Sequence, residues 1–166
     1  MHKESIDIMQ GFINTLNPEE ELRILDVGSL KIKGQGGEYR HLITSDMWEY
    51  VGVDVVEGDN VDVVAESPYR YPFEDKYFDV IITGQTLEHV AYIWEWIKEL
   101  NRILKSGGKI FIIAPSRGHR HNRPDYWRIQ PNGMNALLEY GGFSEIEVNL
   151  DRRSIWHDCW GEAKKM

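Results

Sequence analysis

Thiol chemistry is almost absent from this chain, which carries one cysteine, Cys159, among 166 residues. A lone cysteine excludes an internal disulfide and any cysteine-based zinc site, so a reducing, cytoplasmic setting is the simplest expectation. Long apolar runs are missing as well. No stretch approaches the roughly 20 apolar residues of a membrane span, and the opening MHKESIDIMQ lacks the apolar centre of a secretion signal. Positive charge is scarce: 19 Lys and Arg face 27 Asp and Glu, a net charge of −8. An acidic surface disfavours broad binding to nucleic acid, whose phosphates need clustered Lys and Arg. With no internal repeat, low-complexity tract or linker, residues 1–166 are expected to form one domain, and an apolar fraction of 42% is enough for a proper core.

What is present is organised around Leu22–Leu30, LRILDVGSL. Leu22, Ile24, Leu25 and Val27 form a nearly continuous apolar run, which predicts a strand buried on both faces. It ends on Asp26-Val27-Gly28-Ser29, and a polar, glycine-rich segment (Lys31–Gly37) leads to a short helical pattern over Glu38–Ser45. Before it, Ile8, Phe12 and Leu16 form one stripe of a helix over Glu4–Leu16. After it, strands are expected at Tyr50–Asp54, Val61–Ala65, Phe78–Thr83, Lys109–Ala114, Glu145–Leu150 and Cys159–Lys165. The strongest helical period runs over Leu87–Leu104, and Pro131 suits the first turn of a helix over Asn132–Tyr140. Strand and helix alternate through most of the chain. The expected fold is therefore α/β: a Rossmann-like, doubly wound, mostly parallel sheet of about seven strands with helices on both faces.

Chemistry is expected at the carboxyl ends of the strands. Four of them finish in ligand-capable residues: Asp26-Val27-Gly28-Ser29, Asp54, Glu66-Ser67 and Gly84-Gln85. In a doubly wound sheet these tips line the crevice at the topological switch point. Asp54 suits both hydroxyls of a ribose, because an ionised carboxylate offers only acceptor sites; alone it is equally a turn aspartate. A dinucleotide site would need GxGxxG, yet Gly28 is followed by Ser-Leu-Lys-Ile-Lys before Gly34. Asp26 would repel a pyrophosphate but support an ammonium group, which favours S-adenosylmethionine.

The sequence also resembles the class I S-adenosylmethionine-dependent methyltransferases, of the type 11 kind. The residues that carry the resemblance are Pro72-Phe73-Glu74-Asp75-Lys76-Tyr77-Phe78-Asp79, the strand Val80–Gly84, Leu87-Glu88-His89-Val90, and Leu104-Lys105-Ser106-Gly107-Gly108-Lys109. It spans about Leu22 to Ser116, the expected cofactor-binding core. Residues 1–17 add an N-terminal helix, and 117–166 an acceptor-side loop, a helix and the final strands. The resemblance implies that Asp26, Gly28 and Ser29 line the methionine portion of S-adenosylmethionine and that Asp54 binds its ribose. It further implies that Glu66 and Ser67 face the adenine, with Gly84 and Gln85 beside the sulfonium. The usual GxGxG is reduced here to Gly28 and a longer loop before Gly34, Gly36 and Gly37.

Methyl transfer needs alignment more than acid–base machinery, although a hydroxyl or amine acceptor must also lose a proton. His89 and His121 are the catalytic candidates, each equally readable as a locally packed histidine. His121 belongs to Gly118–Arg128, a loop whose arginines, histidines, Tyr126 and Trp127 suit an anionic or sugar-like acceptor, or form a solvated flap in which Asp125 pairs Arg123 or Arg128. His119, His121 and Asp125 lack any fixed ligand spacing, so no metal is expected. Tyr69, Tyr71 and Phe73 are read as core residues under a loop or as a wall for adenine. His157-Asp158-Cys159 is read as turn and strand. The expected activity is methyl transfer to a small-molecule or sugar-like acceptor by a monomer or homodimer. A macromolecular acceptor and a non-catalytic cofactor-binding subunit are the alternatives.

Overall fold

The computed structural model describes residues 2–32, 38–121 and 124–166. Gly34, Gly36 and Gly37, expected near the cofactor, and Arg123 of the cationic loop lie outside the described residues. Seven strands form one sheet in the order β3-β2-β1-β4-β5-β7-β6. They are β1 (Leu22–Val27), β2 (Trp48–Asp54), β3 (Val63–Val64), β4 (Phe78–Gly84), β5 (Leu104–Pro115), β6 (Phe143–Leu150) and β7 (Asp158–Lys165). All neighbours run parallel except β7, which is antiparallel to both β5 and β6. β1 lies at the centre, with Leu25 opposite Val51 on one side and Ile81 on the other. This is the expected doubly wound sheet, with its switch point between β1 and β4.

Period-two alternation sends neighbouring residues into different cores. Ile24, Val80, Ile82, Phe111 and Ile113 pack with Met9, Phe12 and Ile13 of helix α1 (Lys3–Ile13). Leu25, Val27, Ile81, Ile110 and Ile112 pack on the opposite face with Trp96, Ile97 and Leu100 of helix α2 (Ile93–Ile103) and with Met134 and Leu138 of helix α3 (Pro131–Tyr140). A sheet buried on both sides explains why its central strands read as apolar runs rather than as alternating ones.

Several boundaries differ from the sequence reading. Leu87–Leu104 is not one helix: Leu87–His89 is a 3₁₀ turn, and α2 begins only at Ile93. Side chains from elsewhere occupy the backbone groups between them, since Trp127 Nε1 donates to the Val90 carbonyl (2.8 Å) and the Tyr92 N–H donates to Tyr69 Oη (3.2 Å). The pattern at Glu38–Ser45 becomes a 3₁₀ turn, Tyr39–Leu42. α1 ends at Ile13, beyond which Thr15 Oγ1 donates to the Phe12 carbonyl (2.7 Å). β3 shrinks to two residues because the Asp62 carboxylate, not a strand carbonyl, accepts the Gly52 N–H (2.7 Å). β6 starts at Phe143, earlier than expected, and absorbs a register shift between Ser144 and Glu147, where Glu145 has φ +50°.

Candidate functional site

The carboxyl ends of β1, β2 and β4 open into a cavity of about 250 Å³. Asp26, Gly28, Ser29, Asp54, Gly84 and Gln85, all expected there from the sequence, line it, as do His89 and His121. Glu66 does not: its side chain is exposed, and the lining passes instead through Pro68 and Tyr71. Ser67 is half-buried beside Pro68, with Oγ accepting the Tyr69 N–H (3.1 Å), a turn contact and not a cavity one. For both, the chain after β3 turns at Ser67 and Arg70 and presents the proline and the tyrosine inward.

Asp26 is 2% exposed, and its Oδ2 accepts a hydrogen bond from Tyr50 Oη (2.6 Å). Burial pushes its carboxyl up to about 7, against the opposing effect of the Tyr50 hydrogen bond and the positive charge of Arg40. Asp54, at the tip of β2, is held differently. Its Oδ2 accepts the Leu30 N–H (3.2 Å) and its Oδ1 the Val56 N–H (3.1 Å), leaving lone pairs for a ligand's hydroxyls. Gly28 has φ +79°, and a Cβ there would run into Thr86 Oγ1, so the β1 tip needs glycine both for its conformation and for the close approach of β4. A Cβ at Gly84 would likewise strike the phenol of Tyr39, which is itself bonded to Ser5 Oγ (2.8 Å).

Ser29 is placed on the cavity wall, but its hydroxyl donates to the Asn60 carbonyl (2.9 Å) and secures the loop after β2. Gln85 adopts φ +59°, and its Nε2 donates to the buried Asp158 (2.9 Å), which also bonds His2 Nε2 (2.6 Å). Asp158 thus anchors strand tips rather than forming a dyad with Cys159, whose thiol burial pushes up to about 12.

Tyr39, Asn60 and Thr86 line the cavity and Tyr50 bonds Asp26, and none of these four was expected at the site from the sequence. Tyr71, read as a core residue or a wall for adenine, is buried and lines the cavity. The cationic loop is also less free than its composition implied. Arg128 pairs with Asp125 (Nη1 to Oδ1 2.6 Å, Nη2 to Oδ2 2.9 Å), which holds the Asp125 carboxyl well below the usual range. Asp125 also accepts the His121 N–H (2.8 Å), and His119 packs on Trp156, so His119, His121 and Asp125 do not converge as a ligand set.

Glu88 is the other residue the sequence reading passed over. It is fully buried beneath His89, and among the described residues neither carboxyl oxygen has a hydrogen-bond partner. Burial pushes the carboxyl up to about 8. No helix among the described residues is long and apolar enough to cross a membrane.

Residues 25–112, more than half of the chain, match the Methyltransferase domain family. The demethylmenaquinone methyltransferase of Bacillus cytotoxicus is 30% identical over 87 residues, covering 51% of this chain and 37% of that protein. Its counterpart in Staphylococcus saprophyticus is 38% identical over 58 residues, 35% of this chain and 25% of that one. The chain thus spans well under half the length of these curated relatives. Among solved structures, a SAM dependent methyltransferase from Archaeoglobus fulgidus superposes with a TM-score of 0.71 at 18% identity, covering 97% of this chain and 95% of that one. Phosphoethanolamine N-methyltransferase 2 of Haemonchus contortus, solved with S-adenosyl-L-methionine, gives 0.70 at 17% identity, covering 98% of this chain and 52% of that one. At such identities the structural likeness is one of fold. The family match runs from Leu25 in β1 into β5, and the chain belongs to the methyltransferase-domain family, the S-adenosylmethionine-dependent class that its motifs resemble.

Proposed function

We propose that this chain binds S-adenosylmethionine in the cavity at the switch point and catalyses transfer of its methyl group to a small-molecule or sugar-like acceptor. The observation that carries this reading is the pairing of two differently held carboxyl groups, Asp26 and Asp54, across the tips of β1 and β2 in one cavity. Asp54, fixed by two backbone N–H donors, offers acceptor sites to ribose hydroxyls. Asp26, buried and short of positive partners, suits the ammonium of the methionine portion. Pro68, Tyr71, Val55 and Leu30 give the apolar wall that an adenine ring needs. The bound cofactor supplies an electrophilic methyl on a sulfonium that leaves as a neutral thioether. The protein's task is then to orient the acceptor and exclude water.

Gly84 and Gln85 line the same cavity as His89 and His121, and we assign the end marked by the two histidines to the acceptor. A small acceptor agrees with the curated relatives' names, and near the cavity wall the Tyr126 N–H donates to the Glu88 carbonyl (2.7 Å). Calorimetric titration with S-adenosylmethionine and S-adenosylhomocysteine tests the reading. Binding of both, followed by turnover on small hydroxyl-bearing acceptors, supports it. Failure of either ligand to bind the folded protein overturns it in favour of a non-catalytic subunit, and turnover only on a polymer would assign a macromolecular acceptor.

A further inference from the structure

Glu88, His89 and His121 each offer one potential ligand atom, and all three atoms lie within 4.8 Å of one another. We propose that they form a binding site for a first-row divalent cation at the acceptor end of the cavity, where the ion would hold a hydroxyl oxygen of the acceptor. The inference rests on the methyltransferase reading for the acceptor's role, but not for the cation site itself.

A carboxyl group in the interior without a partner is costly, and Glu88 is in that position with both oxygens. The positive charge acting on Glu88 is that of Arg128, whose Nη1 and Nη2 bond Asp125 while its Nε has no hydrogen-bond partner among the described residues. A proton or a cation is what the interior then requires, and the surroundings favour a cation. His89 Nδ1 faces the Pro124 carbonyl, so that nitrogen carries the proton and Nε2 keeps its lone pair, 3.9 Å from Glu88 Oε1. A ring nitrogen donating to a backbone carbonyl while the other is free for a metal is the arrangement that orients histidine ligands. His121 is brought across by the loop: its ring lies 5.5 Å from that of His89, its backbone is held by Asp125, and its Nδ1, 3.6 Å from Asp125 Oδ2, is buried with no hydrogen-bond partner among the described residues.

Two imidazoles and one carboxylate select zinc, manganese, iron or cobalt over magnesium and calcium, which prefer oxygen ligands. Glu88 lies beneath the cavity wall, while His89 and His121 line it. Three protein ligands on one side leave the remaining coordination positions facing the cavity, as in catalytic rather than structural sites. A hydroxyl held there becomes more acidic and gives its proton to solvent. The acceptor class this implies is an oxygen nucleophile, not an amine or a carbon centre.

The test uses the purified protein, stripped with EDTA and titrated with Co²⁺ and separately with Mg²⁺, following visible absorption and heat. The expected result is one equivalent of Co²⁺ bound with the absorption bands of an imidazole-ligated ion, unaffected by equimolar Mg²⁺. E88Q and H121A should each weaken Co²⁺ binding by at least about tenfold while S-adenosylhomocysteine binding persists. H121A is the safer variant because its side chain leaves the core untouched. No stoichiometric Co²⁺ binding, or equal binding by wild type and H121A, overturns the proposal. Loss of S-adenosylhomocysteine binding in the wild type would instead sink the methyltransferase reading and leave the Co²⁺ result standing.

Discussion

At the scale of single residues, two aspartates at equivalent strand tips behave differently because only one is dry. Asp54 keeps its carboxylate in contact with backbone donors, so Asp54→Ala should weaken S-adenosylmethionine binding by about 1–3 kcal/mol through the loss of charge-assisted hydrogen bonds. Calorimetry would show this, and unchanged affinity would remove the ribose assignment. Asp26 predicts a pH dependence. An exposed aspartate ionises near 3.8, whereas Asp26, facing Tyr50, Arg40 and Asp54, holds its proton up to about 7. Between those values the folded chain keeps a proton that the unfolded chain has released. Its contribution to stability is therefore fully present below 3.8 and is lost as pH rises toward 7, by up to about 1.4 kcal/mol per pH unit. Urea denaturation of Asp26→Asn should lack that slope. Ligand binding should move the opposite way: an ammonium needs the ionised carboxylate, so affinity for S-adenosylhomocysteine should rise as pH passes about 7 in the wild type and stay flat in Asp26→Asn. The position of these acids was readable from sequence because strand ends in an alternating α/β pattern point to one edge. Tyr39, Tyr50 and Asn60 were not readable, since an aromatic or amide side chain carries no local signature that says which distant group it meets.

At the scale of elements, the junction at Val90–Tyr92 shows where a local pattern loses to tertiary partners. Leu87 through Leu104 has helical spacing, yet the Val90 carbonyl is taken by Trp127 and the Tyr92 N–H by Tyr69. The break turns Leu87–His89 into a separate 3₁₀ turn and sets His89 on the cavity wall rather than on the flank of a helix. Trp127→Phe keeps an aromatic ring and removes the donor. It should cost about 1 kcal/mol of stability, measured by chemical denaturation, because one half-buried carbonyl loses its partner. A loss below a few tenths would mean that water replaces the indole N–H without penalty. The short β3 has a related cause, since the Asp62 side chain takes a bond that strand pairing would otherwise make.

At the scale of the whole molecule, the sheet separates two cores, and Trp96 is the largest side chain fully enclosed in one of them. It packs from α2 onto the sheet and donates from Nε1 to Tyr71 Oη (3.1 Å), linking the core to a residue of the cavity wall. Trp96→Ala should lower stability by about 3–5 kcal/mol, a large share of the roughly 5–15 kcal/mol of a typical domain. Thermal denaturation would register it, and a drop under about 1 kcal/mol would show that the core collapses into the space. Because Tyr71 lines the cavity, this variant should also weaken binding of S-adenosylhomocysteine in whatever fraction remains folded.

The sequence by itself determined the strand and helix alternation, the doubly wound sheet and the carboxyl tips at Asp26, Asp54 and Gly84. These follow from local apolar runs and turn chemistry, and a parallel sheet admits few ways of arranging them. Only the tertiary structure decided what those tips meet. Glu88 stands within Leu87-Glu88-His89-Val90, yet nothing in its neighbours along the chain says that it is buried, or that a loop more than thirty residues later lays His121 beside it. Glu66 and Ser67 show the same limit in reverse: they follow a strand, but it is Pro68 and Tyr71, a few residues on, that line the cavity. Burial and the convergence of side chains depend on contacts between distant segments, and a one-dimensional pattern carries no record of those distances.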